Sequence, residues 1–248
     1  MWQTKLLALP PDPLVGYALA MTVTLCIETS TAHCSLALAV DGRVFSEHER
    51  VLRRHNEQVL PMLDRLYKQA GATPRDTQLI GFGAGPGSFT GVRIAASIAQ
   101  GVGLASDGLV VPMPGSEILL RSAMRAGKVS SVQCLTVVAS RADAFYLALY
   151  KVDSDGVLHV QFEDRLYTRR PGWLDDLAQT NESLQGLGPR PQWIEKGVRF
   201  DHGSDVELSA LAMLDITRQM HERGLSQPPS NALPIYVEGD SPWQKVAP

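Results

Sequence analysis

Residues 81–93 have the sequence GFGAGPGSFTGVR and lie between a predicted strand at Leu79–Phe82 and a predicted helix at about Val92–Ala105. Glycine is required in such a turn where φ is positive or where another segment of backbone comes close. The free amides at the start of the following helix attract anions. The stretch therefore predicts either a tightly packed turn or a phosphate-binding loop.

This turn does not match the common nucleotide-binding motifs. A Walker A loop ends in Lys followed by Ser or Thr, and this stretch contains no lysine. A dinucleotide fingerprint needs a third glycine where Ser88 stands, and its acidic residue should end the next strand, whereas Asp107 precedes that strand. Ser88 and Thr90 also lack the elbow sequence of a serine nucleophile. We expect them to be turn or cap hydroxyls, with Thr90 as the N-cap and Arg93 as an ion-pair partner or interlobe anchor.

Upstream of the turn, the pattern predicts an antiparallel meander followed by a helix. Alternating apolar residues predict strands at Thr22–Ile27, Ser35–Val40 and Arg43–Glu47, and Asp41-Gly42 predicts the hairpin turn. The helix that follows has apolar residues three or four positions apart, and Pro61 implies that it is kinked or begins no earlier than about Gln58. With a strand at 109–111 and a helix after Pro114, the first lobe has the predicted order βββαβαβα.

After Gly127 the same order of elements begins again, which predicts a second, smaller and less regular lobe. The expected elements are strands at 133–138, 144–152, 160–167 and 184–187, helices at 173–178 and 205–221, and a docking strand at 233–237. We therefore expect three segments: an N-terminal extension at 1–20, a first lobe at 21–128 and a second lobe at 129–248.

Composition excludes several classes of protein. The chain has 248 residues and a net charge of −3. Its densest basic run, at residues 50–54, is flanked by glutamates, so independent RNA binding is not expected. Cys26, Cys34 and Cys134 lie in apolar runs without disulfide or zinc spacing, which predicts buried thiols in a reducing cytosol. No stretch is long and apolar enough to predict a membrane helix, and three prolines interrupt the apolar run near the N-terminus.

The residues of the turn, GPGSFTGVRI, resemble the signature of the TsaB (YeaZ) family, within the actin, sugar-kinase and Hsp70-like superfamily. Further similar strings are IETST at 27–31, HNEQ with Leu60-Pro61, and LPIY at 233–236. The resemblance covers about residues 21–243, more strongly in the first lobe. It implies a two-lobed α/β fold of the actin-like, ribonuclease H-like ATPase type, with αβ units after each meander.

The resemblance also implies a cleft between the lobes, which we expect to be vestigial as a nucleotide site. Its expected residues come from the first hairpin and the glycine-rich turn: Glu28, Thr29, Ser30, Gly85, Gly87, Ser88, Thr90, Gly91 and Arg93. The family more often has Asp at position 28, and the longer Glu28 should push its carboxylate forward into the cleft. Ala139 stands where the second lobe usually carries an acidic residue. We therefore expect no catalytic residue, no metal and no cofactor beyond weak ATP or ADP binding.

The resemblance implies that this chain is a non-catalytic subunit in the synthesis of tRNA N6-threonylcarbamoyladenosine at position 37. The expected partners are a TsaD-like catalytic subunit and a TsaE-like ATPase, with tRNA reached only through the complex and a homodimer when the chain is alone. The location is expected to be cytoplasmic, with no membrane contact.

The expected partner surface lies on the first-lobe helices. Its residues include a small-residue face on the second helix, and they are His55, Val59, Leu63, Ala95, Ala99 and Gly103. The alternative is that this face packs against the chain's own sheet. His55 has no second ligand at i+3 or i+4, which favours a helix-start or interface role over metal binding. The alternative function is a stand-alone ATP-dependent small-molecule kinase or a glycopeptidase-like metallopeptidase.

Overall fold

The computed structural model describes residues 23–52, 54–141, 143–178, 184–194, 197–200 and 205–237. The expected extension at residues 1–20 lies outside these ranges. Within them, the chain forms two sheets with helices packed on their faces, and the expected two-lobed α/β fold is confirmed.

The first sheet has five strands in the order β3-β2-β1-β4-β5. They are β1 (Val23–Glu28), β2 (His33–Val40), β3 (Arg43–Arg50), β4 (Thr77–Gly85) and β5 (Leu109–Pro114). The first three are antiparallel, and Asp41 and Gly42 both have positive φ, 48° and 78°, as a two-residue type I′ hairpin requires. The strands β4 and β5 run parallel to β1, so each needs a helical crossover.

Three helices complete the expected βββαβαβα order: α1 (His55–Ala70), α2 (Phe89–Ser106) and α3 (Gly115–Arg125). Alternate residues of β1 point to opposite faces of the sheet, so that Leu25 and Ile27 pack with α1 and α2, whereas Cys26 packs on the other side. Because both faces are covered, the strand is continuously buried.

The second sheet repeats the order of the first four strands, as β8-β7-β6-β9. Its strands are β6 (Gln133–Arg141), β7 (Ala144–Val152), β8 (Leu158–Tyr167) and β9 (Leu184–Leu187), and the remaining helices are α4 (Gly172–Ala178) and α5 (Leu214–Glu222). The helix α3 contacts both sheets and forms part of their shared apolar core. No described helix is long and apolar enough to cross a membrane.

The C-terminal part of the chain crosses back to the first sheet. The 3-10 turn at Ala210–Met213 and the helix α5 pack against β1, β2 and β4. The amide of Ala210 donates to Ser35 Oγ at 2.9 Å, and Cys26 Sγ lies 3.4 Å from Thr217 Oγ1. This segment therefore covers the face of the first sheet opposite α1 and α2.

Three predictions of element boundaries are wrong. Of the two alternatives drawn from Pro61, the later start at about Gln58 is wrong: α1 begins at His55, because the Arg54 carbonyl accepts from the first-turn amides and Pro61 lies on the exposed side. The α-helix expected from position 205 begins at Leu214, after the 3-10 turn at Ala210–Met213, because side-chain acceptors bind the amides of residues 209 and 210 and hold Ser209 extended. Residues 233–237 form no strand, although one amide, Ile235 N, donates to Ala84 O at 2.8 Å.

Candidate functional site

The glycine-rich turn packs against the turn between β1 and β2. A β-carbon at Gly87 would come within 2.6 Å of Ser30 Cβ, and one at Gly91 would collide with the Thr29 carbonyl. Thr29 Oγ1 donates to the Gly91 carbonyl at 2.7 Å, and the Ser88 amide donates to the Ser30 carbonyl at 2.7 Å. These two glycines are therefore required because two segments of backbone touch.

The N-cap of α2 is Ser88, so the prediction of Thr90 is wrong. Ser88 Oγ accepts from the Gly91 amide at 3.4 Å, and its carbonyl accepts from Val92 at 3.0 Å. Thr90 is the second residue of α2, after Phe89, and its side chain is exposed. The helix begins earlier than expected because the Ser88 backbone is already fixed by its bond to the first hairpin turn.

Glu28 is fully buried, and the prediction that its carboxylate is pushed into the cleft is wrong. Its Oε1 accepts from the Ser30 amide at 2.5 Å, and its Oε2 lies against the α-carbon of Gly83 on the adjacent strand, where it has no hydrogen-bond partner among the described residues. Burial raises the pKa of this carboxyl above its usual value. Because Gly83 has no side chain, it leaves the space that the Glu28 carboxylate occupies.

A cleft of about 740 Å³ lies between the lobes. Of the predicted cleft residues, Ser30, Ser88 and Thr90 line it, while Glu28, Thr29, Gly85, Gly87, Gly91 and Arg93 do not. The second lobe contributes Ala139 and Ser140 to its wall. Among the described lining residues Glu207 is the one carboxylate, and the cationic or titratable groups are Arg50, His33 and His55. The cleft can therefore hold a mixed polar and apolar ligand, but it does not bring two carboxylates together.

Arg93 lies outside the cleft and contacts the C-terminal segment. Its guanidinium is 3.4 Å above the ring of Phe89, and its Nη2 donates to the Tyr236 hydroxyl at 3.0 Å. Gly85, with φ of 100°, approaches the same segment near the Ile235 carbonyl. Arg93 therefore anchors residues 233–237, which belong to the predicted second lobe, on α2 of the first lobe, as the interlobe alternative expected, and its partner is a tyrosine hydroxyl in place of a carboxylate.

The six residues expected to face a partner are all buried within the chain, so that assignment is wrong. Ala95 and Ala99 are 0% exposed and pack in the core of the first sheet with Val59 and Leu63. A β-carbon at Gly103 would meet Pro229 at 2.9 Å. The alternative expectation, that the small-residue face packs against the chain's own sheet, is the one observed.

His55 begins α1, as expected for a helix-start residue. Its Nε2 lies 3.2 Å from the His33 carbonyl, and because a carbonyl can only accept, this ring nitrogen donates. The histidine therefore joins the start of α1 to the start of β2.

The exposed side of the two helices carries apolar and small residues that the sequence analysis missed. We call it the helix-pair surface, and it consists of Leu60, Phe89, Arg93, Ser97, Gly101 and Leu104. Leu60 is 59% exposed and Leu104 is 65% exposed, and a groove of about 400 Å³ runs between the helices at the Phe89 end. A β-carbon at Gly101 would meet no atom within 4 Å, so another backbone can approach there. The sequence did contain a signal for this surface. Ser97 and Gly101 form a second pair of small residues one turn apart, two positions along from the predicted pair Ala95 and Ala99.

Comparisons with known proteins give one family model and several relatives that match this chain. Residues 47–166, from β3 to β8, match a family model described as TsaD, a tRNA N6-adenosine threonylcarbamoyltransferase. Two relatives carry the name tRNA threonylcarbamoyladenosine biosynthesis protein TsaB. The protein of Escherichia coli is 30% identical over 90% of this chain and 97% of its own length, and that of Haemophilus influenzae is 28% identical over 90% and 96%.

A solved structure shares the whole fold. YeaZ from Pseudomonas aeruginosa superimposes with a TM-score of 0.71 at 27% sequence identity, over 88% of this chain and 100% of that protein. The likeness therefore extends across both lobes.

Proposed function

The chain belongs to the TsaB family of tRNA threonylcarbamoyladenosine biosynthesis proteins, and we propose that it is a non-catalytic subunit that binds a TsaD-like catalytic subunit through the helix-pair surface. The observation that carries the proposal is the exposed apolar and small-residue face of α2, together with the exposed Leu60 of α1. Large exposed apolar side chains grouped on one face are typical of protein–protein contacts.

The shape of the helix-pair surface suits a second pair of helices. Gly101 and Ser97 are one turn apart on the exposed side of α2 and let a partner helix approach closely, while Leu60 and Leu104 stand out on either side. Arg93, stacked on Phe89, adds a polar group that is already held in place. In the absence of the catalytic subunit, we expect two copies of this chain to pair through the same surface.

The chemistry of the cleft supports a non-catalytic role. Phosphoryl transfer needs carboxylates that hold a metal ion against the phosphates. Glu28 is turned against Gly83, and the methyl side chain of Ala139, on the second-lobe side of the cleft, offers no carboxylate. The described residues therefore do not fit a magnesium nucleotide, and ATP or ADP would bind weakly and mainly through the complex.

The remaining partners follow from this assignment. A TsaE-like ATPase would join the complex, and tRNA would reach this chain only through the complex, because a net charge of −3 gives little attraction for phosphates. The three free, buried cysteines suit the cytosol, where thiols stay reduced.

The partner assignment is tested with two matched variants. Leu60→Asp places a charge in the helix-pair surface, and we expect it to abolish co-elution with a TsaD-like subunit while the variant stays folded. Leu225→Asp is the control, since Leu225 is 46% exposed beyond α5 and should leave binding unchanged. Co-elution of Leu60→Asp at wild-type yield would contradict the assignment.

The non-catalytic role is tested by calorimetry and turnover. The isolated chain, titrated with Mg-ATP, should release little heat and hydrolyse no nucleotide above the background rate. Tight binding with turnover would replace this proposal with the small-molecule kinase.

A further inference from the structure

Two histidines and a carboxylate converge beside the interlobe cleft. His33 Nε2 lies 2.9 Å from Glu207 Oε2, and His48 Nε2 lies 3.1 Å from the same oxygen. The two imidazole rings stack with centroids 4.9 Å apart and planes 9° apart. Glu207 and His33 line the cleft, while Glu207 and His48 line a second cavity of about 290 Å³.

The hairpin register brings the two histidines together. His33 pairs with Arg50 and Ser35 pairs with His48, so the histidines are diagonal neighbours on one face of β2 and β3.

Glu207 reaches this face from the segment that crosses back to the first sheet. Two hydrogen bonds hold that segment, from the Ser209 amide to Ser122 Oγ at 3.0 Å and from the Ala210 amide to Ser35 Oγ at 2.9 Å.

We propose that His33, His48 and Glu207 form a zinc site that fastens the stretch before the 3-10 turn at Ala210–Met213 to the β2–β3 hairpin. Two imidazoles and a carboxylate are a ligand set that zinc accepts, with water in the fourth position. In a tetrahedral zinc site neighbouring ligand atoms are about 3.3 Å apart, as follows from metal–ligand distances near 2 Å. The three ligand atoms lie within 4.8 Å of one another, so small side-chain rotations suffice.

The exposure of two of the three ligands allows a metal to enter, although one nearby positive charge opposes its binding. His48 is 37% exposed and Glu207 is 46% exposed, whereas His33 is 15% exposed and forms the inner side of the site. Arg50 lies on the same face and opposes a cation, while the nearby Lys128 is paired with Asp205 at 2.9 Å. Nothing in the proposed function requires this site, because its ligands lie away from the helix-pair surface.

The experiment is a titration of the purified, metal-free full-length chain with zinc and with cobalt. We expect one equivalent of Zn²⁺ to bind and to raise the Tm, a chelator to reverse both effects, and Co²⁺ to give visible bands of tetrahedral N and O coordination. His48→Gln and Glu207→Gln should each weaken binding at least tenfold, and Arg50→Gln should tighten it several-fold.

His159→Gln is the matched control, because His159 forms an exposed pair with Asp153 at 3.0 Å and should bind zinc no differently from the wild type. Equal zinc affinity of the wild type and His48→Gln would overturn the proposal, as would thiolate charge-transfer bands with Co²⁺. If a ligand variant fails to fold, imidazole ¹⁵N shifts in the wild type decide: absence of zinc-induced shifts at two histidines overturns the site.

Discussion

The carboxylate of Glu28 on β1 covers the α-carbon of Gly83 on the adjacent parallel strand β4. The contact keeps a buried acid against backbone and away from the interlobe cleft. It also means that no side chain fits at position 83 while Glu28 holds this rotamer.

Gly83→Ala should therefore destabilise the protein, because the added methyl group displaces Glu28 from its bond with the Ser30 amide. Overpacking together with the lost hydrogen bond predicts a loss of about 2 to 4 kcal/mol in the free energy of unfolding. Urea denaturation measures it. The control Gly101→Ala adds a methyl group into open space on α2 and should raise stability by about 0.5 to 1 kcal/mol. Equal effects of the two substitutions would contradict the contact.

Ser88→Ala should cost more stability than Thr90→Ala, because Ser88 is the residue whose hydroxyl caps α2. The cap bond is long, at 3.4 Å, so we expect about 0.5 to 1 kcal/mol for Ser88 and less than about 0.5 kcal/mol for Thr90. Thermal denaturation of the two single variants checks the order. The reverse order would restore Thr90 as the cap.

Ala99→Arg and Ser97→Arg should separate the buried from the exposed side of α2. Ala99 is 0% exposed, so a charged side chain there should unfold the first lobe at a cost above about 4 kcal/mol. Ser97→Arg should change stability by less than about 0.5 kcal/mol and still prevent binding of the catalytic subunit. Circular dichroism and co-elution report the two effects. A folded Ala99→Arg would show that α2 is rotated from the position described.

The stability of the second lobe should depend on pH through Asp164. Burial raises the pKa of this carboxyl to about 6, and Ser116 Oγ donates to its Oδ2 at 2.5 Å. The folded pKa lies above the unfolded one, so the contribution to stability is complete below about pH 4 and is lost as the pH rises through 6. A shift of this size corresponds to about 3 kcal/mol.

Asp164→Asn tests this dependence, because an amide cannot titrate. The free energy of unfolding of the wild type, measured relative to that of the variant, should fall as the pH rises from 4 to 7 and should stay constant above pH 7. Denaturant titrations at four or five pH values measure it. A difference that is flat over the whole range would mean that the carboxyl titrates normally.

Local pattern was sufficient for the register of the first hairpin. Once Asp41-Gly42 is taken as a two-residue turn, the pairing of β2 with β3 follows, and continuing that pairing beyond the predicted strand ends places His33 and His48 on one face. The alternation along β1 likewise separates Cys26 from Leu25. The hairpin register and the alternation along β1 are set by residues that are close together in sequence, which is why the sequence alone predicts them.

Contacts between distant segments were not predictable in the same way. The helix α2 has small residues on both sides, at 95 and 99 and at 97 and 101, with Ile94 and Ile98 between them. Periodicity therefore could not decide which side faces the sheet. Glu207 comes from the far end of the chain, and no local pattern indicates that it meets two histidines of the first hairpin.

The return of α5 to the first sheet has a consequence for synthesis on the ribosome. When residue 128 has been added, all five strands of that sheet exist, but the helix that shields the Cys26 and Ala37 side is still about 90 residues away. At typical elongation rates this leaves apolar surface bare for about 5 to 20 seconds. We therefore expect the nascent chain to expose this apolar side until Glu222 has been made, and slower translation of the second half to lengthen that exposure.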